Sequence, residues 1–421
     1  MLCAEGRTAL NAPAPGRDPL SAIDWLDLPG PAGGTATLRP PIPDEPPATP
    51  DARVPDVAVM PLEAVSPAGV GLLPGHVSGL PPTLWQTTSA ETARRALDAL
   101  PTQAALPAAQ NLSLTLLLAE APPPRGDADT FLAARLDALI RRGALAPARE
   151  LIALLPPQPS ARIVARAAEI ALLEGDIDAV CGDILARPAL RIDPSLRVFC
   201  AARSGAWAQA VTLLETARAL GDIPDGRYFR LLRFLDPDLA ETLPELPQPT
   251  ASALDALDFR LLVATGAPMP TATLPLPFAV AEVSGDSGWK PRIEAAERLV
   301  RAGAVAETRL FAAYLHRRPA ASGGVWDRVA AFQRLDAALG DGDPVRVGAA
   351  LRRAWPLFQA HDLAVPLARE IGPRLAGLAL PPAAMEAAGA AMLLSPEYER
   401  LARGLAETGP EMRFAASVAA G

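Results

Sequence analysis

Three histidines, three cysteines and a scatter of carboxylates are the residues whose spacing would betray chemistry in this chain. A zinc hydrolase needs two histidines four apart on one helix face with a glutamate between them. His76, His316 and His361 form no such pair. His316 precedes Arg317 and Arg318 at the expected end of a helix, where a cation suits the carbonyl end of the dipole. His361 precedes Asp362 at another helix junction. Cys3, Cys181 and Cys200 are odd in number and lack CxxC spacing, so neither a zinc site nor a disulfide framework is implied. Cys181 and Cys200 read as small apolar core residues, and a bridge between them stays open if the chain is secreted. No GxSxG elbow, GxxxxGK[ST] loop or GxGxxG turn after a strand is found. The only lysine, Lys290, stands in Gly288-Trp289-Lys290-Pro291, outside any phosphate loop.

One stretch could hold an anion. Ser322, Gly323 and Gly324 open a helix that carries Arg328, and Arg317 and Arg318 lie just before it. A plain helix–helix connector explains the same residues and is the preferred reading. The pairs Asp176/Asp178 and Glu294/Glu297 sit beside arginines and read as surface ion pairs. Arg352, Arg353 and Trp355 read as a solvated face over one buried tryptophan rather than a cation–π patch. No cofactor, metal or catalytic residue is expected.

The elements that must position these residues are helices. Half of the 421 residues are hydrophobic but only 5% are aromatic, so a large core must be built from Ala, Leu, Val and Ile. Alanine and leucine form helices readily. β-Branched residues do not alternate with polar ones over any long stretch, which excludes a large sheet. Net charge is −8, and the arginines are dispersed beside Asp or Glu. They read as solvated helix faces, a bias of nucleotide composition rather than a nucleic-acid footprint. No apolar run reaches the length of a membrane span. The start, Met1-Leu2-Cys3-Ala4, has no signal-peptide pattern; the chain is expected to be exported if the true start lies upstream, and cytoplasmic otherwise.

Residues 1–85 hold 17 prolines, which remove backbone donors and block helices. Residues 1–84 are therefore expected to be a disordered arm. Within it, Leu20, Ile23, Trp25 and Leu26 can form one amphipathic turn, with Asp18 before Pro19 as a helix start. Such a motif docks a partner in trans or packs on the chain's own body. Order is expected from residue 85, with Thr88 and Glu91 forming a capping box.

From there a unit recurs. Gly143, Gly175 and Gly205 lie 32 and 30 residues apart, and Gly303 repeats the pattern. Each glycine permits a tight helix–helix turn. An apolar residue two positions on (Leu145, Ile177, Trp207, Val305) plugs the corner, and a small residue such as Ala148 or Ala210 lets the helices approach. One such hairpin cannot bury its own apolar face, so neighbours must stack. Residues 85–236 are expected to hold these repeats. Residues 237–290 form a proline-rich connection with one helix at about 252–264, in which Phe278-Ala279-Val280 buries. Residues 291–421 resume the helices.

The span Gly205-Ala206-Trp207-Ala208-Gln209-Ala210, with Leu214 and Ala217, resembles the second half of a tetratricopeptide repeat. Arg142 to Leu155 and Leu173 to Leu185 resemble it less closely. The resemblance covers about residues 127–235 and part of 290–316. Leu136 and Val198 stand where that family has a mid-helix glycine, so the repeats are degenerate. The resemblance implies an all-α, irregular α-solenoid of antiparallel helix hairpins that binds a protein partner. A weaker likeness rests on Ser21-Ala22-Ile23-Asp24-Trp25-Leu26 and Ala320-Ala321-Ser322-Gly323-Gly324-Val325-Trp326-Asp327-Arg328. It is to an Ala/Pro-rich bacterial family sometimes labelled antifreeze glycopeptide polyprotein, whose members are often exported. The regular Ala-Ala-Thr array that ice binding needs is missing here.

Three functions are open at this stage. The first is a non-catalytic scaffold or adaptor for a protein partner. The second is an exported cell-envelope accessory that positions a cell-wall or polysaccharide enzyme. The third is an enzyme or anion-binding protein acting near Arg317–Arg328.

Overall fold

The computed structural model describes residues 66–103, 106–239, 241–402, 405 and 409–420. The motif Leu20, Ile23, Trp25 and Leu26 lies outside them. Among the described residues the chain is all-helical and no strand is present. The first ten helices are α1 (Gly75–Ser78), α2 (Ala90–Asp98), α3 (Pro107–Leu118), α4 (Ala128–Arg141), α5 (Leu145–Ala153), α6 (Ala161–Glu174), α7 (Asp178–Ala186), α8 (Pro194–Arg203), α9 (Trp207–Leu220) and α10 (Asp225–Leu235). After a proline-rich interval come α11 (Ala256–Ala264) and α12 (Ala279–Ser284). The last eight are α13 (Trp289–Arg301), α14 (Glu307–Leu315), α15 (Val325–Asp341), α16 (Pro344–Gln359), α17 (Ala364–Leu375), α18 (Met385–Leu393), α19 (Tyr398–Ala402) and α20 (Pro410–Ala420).

Side-chain caps start many of these helices. Asp127, Ser160, Asp193, Asp255 and Asp343 each accept from an amide of the first turn. Each such cap stabilises its helix by about 1 kcal/mol. Pro194 and Pro344 stand at the first helical positions, where a missing N–H costs nothing. The first cap differs from expectation: Ser89, not Thr88, accepts from Thr92. The Thr88 carbonyl is taken by the Arg125 amide, and the Ala90 amide donates to the Arg125 carbonyl. That bridge holds Ser89 extended, and the helix starts one residue later than expected.

One corner recurs along the chain. Gly143, Gly175, Gly205, Gly221, Gly266 and Gly303 all have positive φ. In each case the next amide donates to the carbonyl five residues back: 144 to 139, 176 to 171, 206 to 201, 222 to 217, 267 to 262 and 304 to 299, at 2.9–3.0 Å. This is the bond that closes a helix end on a left-handed residue. The seventh corner is made by Asp362, with φ 55, while Leu363 donates to Phe358. A side chain in that region is strained, and Asp362 is exposed. Asp362→Gly is therefore expected to raise stability by about 1 kcal/mol or slightly less in urea unfolding. Gly143→Ala should do the opposite, because its Cβ would sit 2.6 Å from Leu299 Cδ2 as well as at φ +73. A loss of about 2 kcal/mol or more is expected in the same assay.

The residue two positions after each corner glycine behaves unevenly. Leu145 and Ile177 are buried, as are Ala148 and Ala210, but Trp207 is half exposed at the start of α9. Two apolar clusters fill the body, one running from Ala68 to Leu299 and the other from Ile293 to Leu405. Helix α13 serves both, with Ala295 and Leu299 in the first and Ile293, Ala296 and Val300 in the second.

The interval 237–290 folds back onto earlier helices. Helix α11 packs on α6 and α10, and α12 packs on α6 and α13. Phe278, Ala279 and Val280 are buried. Arg260 of α11 donates to the Leu172 and Leu173 carbonyls at the end of α6. Those carbonyls are free because the Gly175 corner uses only the Ala171 oxygen.

A disulfide joins Cys181 of α7 to Cys200 of α8, with Cα atoms 4.9 Å apart. It closes a loop of 19 residues. Loop-closure entropy puts its contribution at about 3 kcal/mol. Reductant, or Cys181→Ser with Cys200→Ser, is expected to lower the thermal midpoint accordingly, and reductant should then do nothing further to the double variant.

Candidate interaction surface

The described chain begins earlier than the sequence predicts. Residues 69–73 lie against the end of α3 and the stretch after it. Leu72 and Leu73 amides donate to Leu118, Glu120 donates to Leu73, and Ala121 donates to Gly69. A Cβ at Gly71 would fall 2.2 Å from the Glu120 nitrogen, so only glycine permits this approach.

Arg135 of α4 closes the contact. Its guanidinium is fully buried and donates five bonds to four carbonyls: Leu117 twice (3.1 and 2.8 Å), Ala119 (3.0 Å), Val70 (2.8 Å) and Ala68 (3.3 Å). Burial pulls its pKa down to about 10, which leaves it charged at neutral pH. These carbonyls lie at the open end of α3 and in the short turn at 67–69 and the residue after it, where backbone donors are scarce. A planar fork with five donors serves several of them at once, which an ammonium cannot.

Other arginines repeat the device. Arg142 donates to Pro101, Arg187 to Pro159, Arg197 to Ile184 and Leu190, and Arg298 to Thr271 and Leu274. Proline-interrupted segments have carbonyls but fewer N–H groups, and arginine supplies the missing donors. The expectation that the arginines form solvated faces is thus corrected for Arg135, Arg142 and Arg328, all buried.

A cleft of about 970 Å³ opens between α3, the α13–α14 corner and the α16–α17 corner. Its walls come from far apart in sequence and are tied across. Gln110 Nε2 donates to the Arg301 carbonyl at 2.7 Å, Arg301 Nε to the His361 carbonyl at 2.8 Å, and Arg369 to Asn111 Oδ1 at 3.2 Å. Leu114, Val305, Val365, Pro366 and Leu394 give it apolar surface. Two of the corners, Gly303 and Asp362, line it. The sequence marks Gly303 as a turn and His361–Asp362 only as a helix junction, and has no means of bringing either to α3.

The candidate anion residues have other work. Arg328 is 5% exposed and grips Glu297 through Nε (2.9 Å) and Nη2 (2.8 Å). Gly323 donates its amide to Asp327 Oδ1 at 2.9 Å, so the start of α15 is occupied by its own carboxylate. Arg317, Arg318, Ser322 and Gly324 are exposed. Gln333 holds the Arg317 carbonyl at 2.5 Å. Glu297 also corrects the reading of it as a surface residue: it is 2% exposed and accepts from Tyr314 (2.6 Å) and Arg301 (3.1 Å) as well. Burial, then the Glu297 charge, raises the Tyr314 hydroxyl pKa well above its ordinary value. Glu294 and Asp178 do form surface pairs, with Lys290 and Arg203. Trp355 is buried, and Arg352 and Arg353 are exposed.

Comparisons of this chain with family models, with curated proteins and with solved structures find no match.

Proposed function

We propose that this chain is a non-catalytic helical scaffold that binds a protein partner. One observation carries the reading: a wide cleft is walled by three sequence-distant elements that hydrogen bonds tie together. A pre-tied cleft binds without first ordering its own walls, which saves the entropy that would otherwise oppose association. On this reading α4 to α10 form degenerate tetratricopeptide-like hairpins in an irregular α-solenoid. The shared corners at Gly143, Gly175 and Gly205 support it. Helices α11 and α12 lie against α6, so the partner's place is sought at the cleft rather than along that helix. The test is affinity capture with the full chain and with Val365→Glu. A partner held by the full chain and lost from the variant supports the scaffold; a chain that retains nothing above a bead control contradicts it.

A second reading has its own observation. The buried Cys181–Cys200 bridge suits an oxidising compartment, which favours an exported envelope accessory. Fractionation of the native protein with thiol counting tests this. A cytosolic chain with both thiols free would refute it. Binding of an anion near Arg317–Arg328 draws the least support, since Arg328 is committed to Glu297. A thermal-shift panel of phosphorylated metabolites is expected to be flat.

A further inference from the structure

We propose that the cleft between α3, the α13–α14 corner and the α16–α17 corner takes an extended, uncharged peptide segment of a partner protein, held through its backbone by side-chain amides. The inference rests on the scaffold reading and names the chemistry of what that cleft binds. Scarcity comes first. The chain has only two asparagines and eight glutamines in 421 residues. Four of those ten, Gln103, Gln110, Asn111 and Gln359, line this one cleft. Nineteen lining residues drawn at the chain's average would include fewer than one. The four come from the start of α3 and the end of α16, so a local bias of sequence does not account for all of them.

Two of the amides are oriented by their partners. Gln110 donates through Nε2 to the Arg301 carbonyl, which leaves its Oε1 to accept. Asn111 accepts from Arg369 on Oδ1, which leaves its Nδ2 to donate. Gln103 and Gln359 are exposed and have no side-chain partner among the described residues, so each offers both a donor and an acceptor. The set thus presents donors and acceptors together, as a peptide backbone requires with one N–H and one C=O per residue. Charge agrees with this. Arg301 and Arg369 in the wall balance Glu307 and Asp362, so the lining selects no charged ligand. Among the described residues no aromatic side chain lines the cleft, and a sugar ring has no face to stack on. Leu114, Val305, Val365 and Leu394 instead suit aliphatic side chains. From Pro107 to Leu114 the wall runs about 10 Å along α3, the length of roughly three extended residues. Backbone hydrogen bonds supply affinity in such a mode, and the apolar pockets supply sequence preference.

A displayed library of random linear peptides, selected on the full chain, tests this, with affinities then read by fluorescence anisotropy. Selected peptides are expected to be uncharged and rich in Leu, Val and Ile. Gln103→Met with Gln359→Met keeps the volume at two exposed positions and removes their hydrogen bonds. That pair should weaken binding about fivefold for each amide lost. N-methylation of a contacting peptide nitrogen removes one backbone donor and should weaken it by a similar factor. A charged consensus, no binder, indifference to the double variant, or indifference to N-methylation at every position would each overturn the proposal. A glycan array that binds where the peptide library does not would overturn it too. Sedimentation of the full chain should show a monomer; a dimer loosened by the double variant would put a second copy in the cleft and contradict the inference. Peptides lost on Val365→Glu but unmoved by the Gln→Met pair would sink this inference and leave the scaffold reading standing. Partner capture remains a separate readout for that reading.

Discussion

Arg135→Met should lower stability by on the order of 4 kcal/mol or more and release residues 66–73 from the body. The side chain donates five bonds, and four buried or half-buried carbonyls lose their donor when it goes. Each buried acceptor left unsatisfied costs about 1–3 kcal/mol, which outweighs the relief of removing a buried charge. Arg135→Lys should recover only part of this, since one ammonium has three donors and no fork. Urea unfolding measures the loss, and limited proteolysis shows where the chain opens. New cleavage within 66–73, with α8 and α9 still protected, is the expected pattern. A loss below about 1 kcal/mol would mean that solvent or neighbouring groups satisfy those carbonyls.

Glu297→Gln is the second large effect. The residue lies on α13 between Ala296 and Leu299, both buried, and accepts four bonds from Tyr314, Arg328 and Arg301. The amide keeps the volume but removes the charge, leaving the buried Arg328 without an opposite partner. Breaking one side of a buried pair costs about 3–5 kcal/mol. The double replacement Glu297→Leu with Arg328→Met should be milder than Glu297→Gln alone, because no uncompensated charge remains. Equal losses in the single and double variants would show that packing, not charge, sets the cost.

The corners were the most legible part of the chain. A glycine followed by an apolar and then a small residue states a closed helix end in local terms, and the structure places that bond at Gly143, Gly175, Gly205 and Gly303. Asp362 makes the same corner without glycine, and composition alone hides it. Arg135 was also within reach. It stands among Phe131, Leu132, Ala133, Ala134, Leu136, Leu139 and Ile140, in a helix buried on nearly every face. A charge set among buried apolar residues on the turns before and after it falls on an inward face. Glu297 also stands among Ala295, Ala296, Leu299 and Val300, but Glu294, Arg298 and Arg301 on the same helix mask the signal. What the sequence hid is tertiary: the pairing of 69–73 with 118–121, the fold-back of α11 and α12, and a cleft that unites Asn111, Arg301 and Arg369. Contacts so distant leave no periodic trace. The Cys181–Cys200 pair was visible as two residues but not as a bond, since spacing without a corner geometry cannot align two Cβ atoms.

The central claim is that arginine-to-carbonyl bonds weld irregular segments to the helices, with Arg135 making the most such bonds. Amide hydrogen exchange of the unmodified chain, read by mass spectrometry, tests it most directly. The amides of Leu72, Leu73, Glu120 and Ala121 should exchange as slowly as the interior of α4 and together with it, because Arg135 ties both sides to that helix. Exchange of those four amides at the rate of an unstructured peptide, while α4 stays protected, would contradict the account.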